Sequence, residues 1–313
     1  MTPKDAVYKN GKRYRTLSRH LQETVGRRCV KIPLSSGCTC PNRDGTCGIG
    51  GCTFCTGSGG GEFSPRSGSI PAQYRQGVAH LRKWQDAARI AYFQSFSNTY
   101  CTPDRLRGVL EETLALPDIY GIRIATRADC LPPETVAVLK EFSARIPIGL
   151  ELGLQTANDA TARSINRGHT FAQFCEGYGR IKAAGLPVCV HIINGLPGET
   201  REDMINTARA VAALRPDGIK IHMLHILSGS AMGRQYAKEP FELLTQDEYV
   251  GIVCEQLELL PPDTVIERLT GDGDRRKMLA PEWTMHKRTV LNAIDRELSR
   301  RDTWQGRLWE DET

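Results

Sequence analysis

Apolar residues along the chain gather in short continuous runs, separated by longer stretches in which they recur at helical spacing. The runs Cys29–Leu34, 90–93, 122–125, 148–154, 187–193 and 219–224 are four to eight residues long and read as buried strands. Between them, 71–87, 103–114, 133–143, 171–184 and 201–214 read as helices. Ahead of the first strand, Tyr14, Leu17, Leu21 and Val25 fall on one face of a predicted helix over 13–26. After the last strand, 241–260 and 286–300 give two more. Strand and helix in alternation predict βα units and a parallel sheet. Six such units suit a partial barrel rather than a closed eightfold one. The expected fold is therefore α/β: a partial TIM-like (βα)6 barrel with an N-terminal helix and a C-terminal helical extension. The expected boundaries are an N-terminal helical segment at 1–28, the barrel at 29–230, and an extension at 231–313 that closes it.

Polar residues interrupt this pattern mainly at the C-terminal ends of the strands. They are Gln94 and Asn98, then Thr126, Arg127 and Asp129, then Glu151 and Gln155, Asn194, and finally His222 and His225. In α/β barrels that end carries the active site, because the βα loops converge there. Glu151 and Gln155 are four apart, which puts both on one face of a strand. Burying them costs free energy unless they bind something or pair with a neighbour such as Arg127. Arg163 and Arg167 are one helical turn apart, so a helix there would let them share a carboxylate. His222 and His225, three apart on a strand, face opposite sides. Residues 194–198, Asn-Gly-Leu-Pro-Gly, read as a tight turn ahead of a helix N-terminus.

The first strand opens into a long loop, 37–63, that reads GCTCPNRDGTCGIGGCTFCTGSGGGEF. Five of the chain's eleven cysteines lie within Cys38–Cys55, and the other six are scattered singly. A disulfide scaffold is short, secreted and loop-rich, and this chain is not. Clustered thiolates point to a metal instead. Cys52 and Cys55 form a CxxC, with Cys40 eleven intervening residues upstream. Three thiolates on three irons of a cubane leave the fourth iron open to an outside chelator. The alternative is a zinc site closed by four of the five cysteines, with Cys38 or Cys47 as the fourth ligand. The glycines from Gly48 to Gly61 let the backbone pass close to whatever is bound.

Composition adds bounds. Of the 313 residues, 40% are hydrophobic and 25% charged, as in an ordinary globular chain rather than a disordered one. No apolar run approaches the about 18 residues a membrane helix needs, so no membrane partner is expected. The first fifteen residues are polar and basic, unlike a secretory signal, and a cytoplasmic location is expected. The net charge of +5 suits a solvated basic surface as well as a nucleic-acid partner.

The segment CPNRDGTCGIGGCTFC resembles the cysteine loop of a bacterial radical S-adenosylmethionine (SAM) family. That family is similar to the Elongator catalytic subunit and, more remotely, to oxygen-independent coproporphyrinogen III dehydrogenase. The resemblance continues through YFQSFSNTY (92–100), IATRADCL (124–131), LELGLQTAND (150–159), INRGH (165–169), HIINGLPGET (191–200), IKIHMLHIL (219–227) and RLTGDGDRRKMLAP (268–281). It covers nearly the whole chain.

The resemblance implies a [4Fe–4S] cluster on Cys40, Cys52 and Cys55, with Cys38 and Cys47 as extras. It implies SAM contacts by Gln94, Asn98, Thr126, Arg127, Glu151, Gln155, Arg163, Asn194, Gly195 and His222. Glu151 and Gln155 would meet the ribose and methionine ends of SAM, and the Asn194–Gly195 segment would meet adenine. The implied enzyme is oxygen-sensitive and takes its electron from a flavodoxin- or ferredoxin-type donor. It cleaves SAM to a 5′-deoxyadenosyl radical that modifies tRNA, at the side chain of a wobble uridine. A small molecule or a protein side chain is the alternative substrate, and a zinc-stabilised non-catalytic binding protein is the alternative from another class. The polar loop 268–277 is expected to cap the substrate side.

Overall fold

The computed structural model describes residues 11–65, 67–81 and 85–310. The expected signal-free segment therefore lies largely outside the described residues. Among the described residues no helix is long and apolar enough to cross a membrane. The chain divides into two compact units, interleaved in sequence.

One unit holds residues 21–154 and 166–188. After α1 (Leu17–Val25) it is built from β1 (Cys29–Leu34), α2 (Ile70–Ala79), β2 (Ala88–Phe93), α3 (Pro103–Leu114), β3 (Ile119–Thr126), α4 (Pro133–Ser143) and β4 (Ile148–Gln155). The strands β1 to β4 lie parallel and side by side in chain order. Period-two alternation gives each strand an apolar face. Ile32, Leu34, Phe93, Ile122, Ile124, Leu150 and Leu152 are almost wholly buried there. Helices cover that face: Gly77 of α2 lies so close to Ile32 that a Cβ would stand 2.5 Å from its methyl. The other face carries Lys31, Tyr92 and Glu151, one from each of β1, β2 and β4.

The second unit holds 11–20, 155–165 and 189–310. It contains α5 (Asp159–Ser164), β5 (Val188–Asn194), α7 (Arg201–Leu214), β6 (Gly218–Met223), β7 (Ile226–Leu227), α8 (Ala231–Lys238), α9 (Gln246–Leu259), β8 (Val265–Arg268), β9 (Met278–Ala280) and α10 (Lys287–Arg300). The remaining helix, α6 (Phe171–Ala183), belongs to the first unit. Here β5, β6 and β8 run parallel, and β7 pairs antiparallel with β9.

Four predicted elements begin or end elsewhere, among them the strand expected from 122, which begins at Ile119. The helix expected from residue 13 starts at Leu17. Residues 13–16 stay out of the helix because Ile266 N donates to Arg15 O at 2.8 Å and Gln305 N to Arg13 O at 2.9 Å. The helix expected over 71–87 stops at Ala79. The one expected from 241 starts at Gln246, where Thr245 and Glu248 satisfy each other's orphan amides in a capping box. The short strands β7, β8 and β9 and the helices α5 and α8 carry too little periodicity to be read from sequence.

Candidate functional site

The cysteine loop follows β1 and is tied down at both ends of its turn. Arg43 N donates to Cys40 O, Cys47 N to Pro41 O, and Cys55 N to Cys52 O, each at 2.9 Å. Phe96 N reaches Gly59 O at 2.9 Å and Ser97 N reaches Thr39 O at 3.2 Å, so the segment after β2 holds the loop from outside. Cys52 is buried, while Cys40 and Cys55 are half-buried and Cys47 is exposed. The Cys55 thiol bonds to Cys52, and together with the charges of Arg167 and Arg127 it holds the Cys52 thiol well below its usual range despite burial. Cys55 is raised by the same contact. Cys38 instead shares its thiol with Cys101, beside Arg105.

Two arginines face this loop from beneath. Arg127, at the end of β3 (Ile119–Thr126), is 3% exposed. Its Nε and Nη2 form a fork on Asp129 at 2.8 and 2.6 Å, its Nη1 donates to Arg167 O at 2.7 Å, and Cys47 Sγ lies 3.5 Å from Nη2. Against the burial that would raise it, this fork holds the Asp129 carboxyl below its ordinary value. Arg167, 5% exposed, donates Nη1 to Cys52 Sγ at 3.7 Å and Nη2 to Gly153 O. Its Nε has no partner, and among the described residues no carboxylate forms an ion pair with it, although its charge helps lower the Asp129 carboxyl. Asn42, fully buried, donates Nδ2 to the same sulfur at 3.6 Å and to Asn166 O. A Cβ on Gly168, whose φ is +76°, would meet the Asn42 amide at 2.8 Å, which explains a glycine there. Gly177 of α6 performs the same service lower down. A Cβ at that position would stand 2.0 Å from Ala128 O, so only glycine lets α6 press against the turn that carries Arg127 and Asp129.

His169 completes the group. Its Nδ1 lies 3.1 Å from Thr170 O, and its buried Nε2 has no partner. Burial and the charges of Arg167 and Arg127 push its pKa down to about 3, so the ring is neutral.

A cluster of this charge fits the residues present. An uncompensated guanidinium is expensive to bury, yet Arg167 sits beside Cys52 with no acid of its own. Three thiolates around a cubane carry a net negative charge, which supplies the missing counter-ion. Among the described residues no three His, Cys, Asp or Glu side chains converge on a single-ion site; a cubane gives each thiolate its own iron.

The other sequence-predicted residues divide into two groups. Several are already engaged. Asn98 donates Nδ2 to Phe93 O, Ser95 O and Ala125 O and accepts from Ser36 Oγ at 2.6 Å, stitching three segments together. Thr126 shares a 2.7 Å hydroxyl contact with Thr99. Glu151 accepts from Lys31 Nζ at 2.7 Å and Tyr92 OH at 2.6 Å, so its buried network runs to Lys31 rather than to Arg127. Asn194 and Gln256 exchange two amide hydrogen bonds at 2.8 and 2.9 Å. Gly195, at φ +87°, donates its N–H to Met204 Sδ. Others retain capacity. Among the described residues the Gln94 side chain makes one hydrogen bond, to Gly60 O at 3.2 Å, and Gln155 ends β4 half-buried at φ +78°.

Arg163 and Arg167 do not share a helix. The α5 helix (Asp159–Ser164) ends between them, leaving Arg163 exposed while Asn166 at φ +52° turns the chain so that Arg167 is buried. The His222 ring packs against His191, centroids 5.4 Å apart and planes tilted by 57°, on the face of β5 and β6 that also carries Lys220. Burial and the neighbouring His191 hold its pKa well below the usual value. His225 is packed under the 268–277 loop, whose Gly271 and Gly273 lie against its ring. That loop is knitted by Arg268 and Lys287 on Asp272 and by Arg276 on Asp274.

The sequence reading named Arg167 but set it on a helix with Arg163, and it missed Lys31, Tyr92, His169 and His191. A signal for three of them was available: Lys31, Tyr92 and His191 are the polar members of alternating strands, which place them on the face away from the helices.

Comparison with known proteins agrees with this arrangement. The family profile described as "Radical SAM superfamily" matches residues 38–211, and that described as "Radical_SAM C-terminal domain" matches 216–300. The chain is 46% identical to "Uncharacterized protein YtqA" of Bacillus subtilis (strain 168), over 96% of this chain and 94% of that protein. It is 34% identical to "Protein YhcC" of Escherichia coli (strain K12), over 89% and 90%. It is 29% identical to "Elongator complex protein 3" of Homo sapiens, over 50% of this chain and 29% of that one. The solved structure of Methanocaldococcus infernus Elp3 superposes with a TM-score of 0.63 at 13% identity, covering 75% of this chain and 60% of that one. The α/β partial-barrel fold expected from the strand–helix alternation is thereby shown.

Proposed function

The chain belongs to the radical SAM superfamily, and on that basis we propose that Cys40, Cys52 and Cys55 ligate its cluster and that its radical chemistry modifies tRNA. It is an enzyme whose cofactors are a [4Fe–4S] cluster and S-adenosylmethionine, and such enzymes need an electron donor. The donor proposed here is of the flavodoxin or ferredoxin type. Cys40, Cys52 and Cys55 would hold the cluster, which when bound would supply one-electron reduction of SAM and, through it, hydrogen abstraction from substrate.

The observation that carries the ligand assignment is the buried Arg167 on Cys52 Sγ, a cation without an acid beside a thiol. For SAM, the side chains with spare hydrogen-bonding capacity, Gln94 and Gln155, are the proposed direct contacts. Asn98, Thr126, Arg127, Glu151 and Asn194 are proposed to act by holding their own loops in place, because their polar atoms already have protein partners. Arg163, Gly195 and His222 remain proposed contacts through an exposed guanidinium, backbone and a neutral imidazole.

The tRNA proposal, with a wobble uridine as target, rests on the similarity to Elongator complex protein 3 and on basic side chains in the C-terminal third. Of these, Arg268, Arg276 and Lys287 are paired with Asp272 or Asp274. Arg275 and Arg288 are exposed and have no carboxylate partner among the described residues. These two are the better candidates to meet phosphates. A base must be unstacked to be modified, and the cost of a few kcal/mol is least in a loop. Wild-type protein should bind bulk tRNA with micromolar-order affinity that falls steeply from low to moderate salt. The double variant Arg275→Glu with Arg288→Glu should bind at least about tenfold more weakly. The nucleoside profile of tRNA from a deletion strain should lack one modified uridine. An unchanged profile together with no binding at low salt would redirect the assignment to a small molecule or a protein side chain.

A further inference from the structure

Arg167 has a more specific consequence than charge balance. Its Nη1 points at Cys52 Sγ from 3.7 Å and the Asn42 amide points at the same sulfur from 3.6 Å. Both side chains are at least nine-tenths buried, so water does not screen them. The other guanidinium edge is spent on Gly153 O, which fixes the direction of the fork. Arg127 is close by, but Asp129 neutralises it. Cys52 is thus set apart from the other cysteines of its loop: two N–H donors aim at it, and one of them carries an unpaired charge.

We propose that Arg167 is a positioning residue that makes the cluster easier to reduce, by donating to Cys52 Sγ and opposing the negative charge the cluster gains. Asn42 supports it as the second, neutral donor. Reduction adds one electron, from the reductant to the iron–sulfur core, and breaks no bond. The added charge is spread over core and thiolates, where a buried guanidinium and N–H···S bonds favour the reduced form. The driving force matters because the electron passed on to SAM must first be taken up by the cluster.

This inference rests on Cys52 being a ligand, so iron content and potential are measured separately. Wild type, Arg167→Gln and Arg167→Lys are reconstituted anaerobically, iron is counted, and the reduced cluster is followed by electron paramagnetic resonance during a dithionite titration. Arg167→Gln should keep wild-type iron, yet its ratio of reduced to oxidised cluster at a fixed potential should fall about tenfold, equivalent to about 59 mV for one electron. Arg167→Lys keeps the charge and loses the planar fork, so it should fall between the two. Full iron with an unchanged ratio in both variants overturns the inference while leaving the ligand assignment intact. Where Arg167→Gln takes up no iron, Arg167→Lys decides alone: a lowered ratio supports the inference and an unchanged one overturns it. Wild-type iron in Cys52→Ala would instead remove the ligand assignment itself.

Discussion

Cys52→Ala is expected to leave the anaerobically reconstituted protein colourless, with iron falling from about four atoms per chain to a trace. The same loss is expected for Cys40→Ala and Cys55→Ala, because a cubane held by three thiolates has none to spare. Cys38→Ala and Cys47→Ala should keep their iron. Cys38 is turned toward Cys101 and Arg105, and Cys47 is exposed beside the Arg127 fork. Iron and absorption spectra of the five variants check this. Loss of iron in Cys47→Ala alone would mean that a different trio holds the cluster.

Glu151→Ala should cost the fold about 3 kcal/mol and lower the thermal midpoint by roughly 5–10 °C. The carboxylate is wholly buried and is the shared acceptor of the Lys31 ammonium, whose side chain is 24% exposed, and of the Tyr92 hydroxyl. Removing it leaves both donors short of that acceptor and opens a void in the sheet face. The partial exposure of Lys31 places the figure at the low end for a broken buried pair. Glu151→Gln keeps shape and one acceptor oxygen and should cost clearly less. Melting curves of the two variants decide the matter. Wild-type stability in both, with SAM binding lost, would make Glu151 a direct cofactor contact rather than a structural one.

How much of this was legible in the sequence follows the strength of each local pattern. Continuous apolar runs such as 148–154 gave strands to within a residue or two, since nothing else buries such a run as economically; only β3 begins three residues before its run, at Ile119. The helices expected from 103 and 171 start there, behind the caps Thr102 and Thr170, whereas the Thr245–Glu248 capping box was a start signal that the expected start at 241 left unused. The cysteine loop was legible because CxxC spacing and glycine content are local properties. Arg167 was not. Its neighbour Arg163 suggested a shared helical face, and only the left-handed turn at Asn166 reveals that the chain has already left the helix. Glu151 was correctly singled out as a buried charge in need of a partner. The partner, Lys31, lies 120 residues away, and no spacing rule connects two parallel strands.

The most direct test of the account is the reaction with SAM. Reconstituted wild-type protein given dithionite and SAM under anaerobic conditions should release 5′-deoxyadenosine, and Cys55→Ala treated alongside should release none. Stoichiometric zinc with no iron after reconstitution, or iron-loaded protein that binds SAM and yields no 5′-deoxyadenosine, would contradict it.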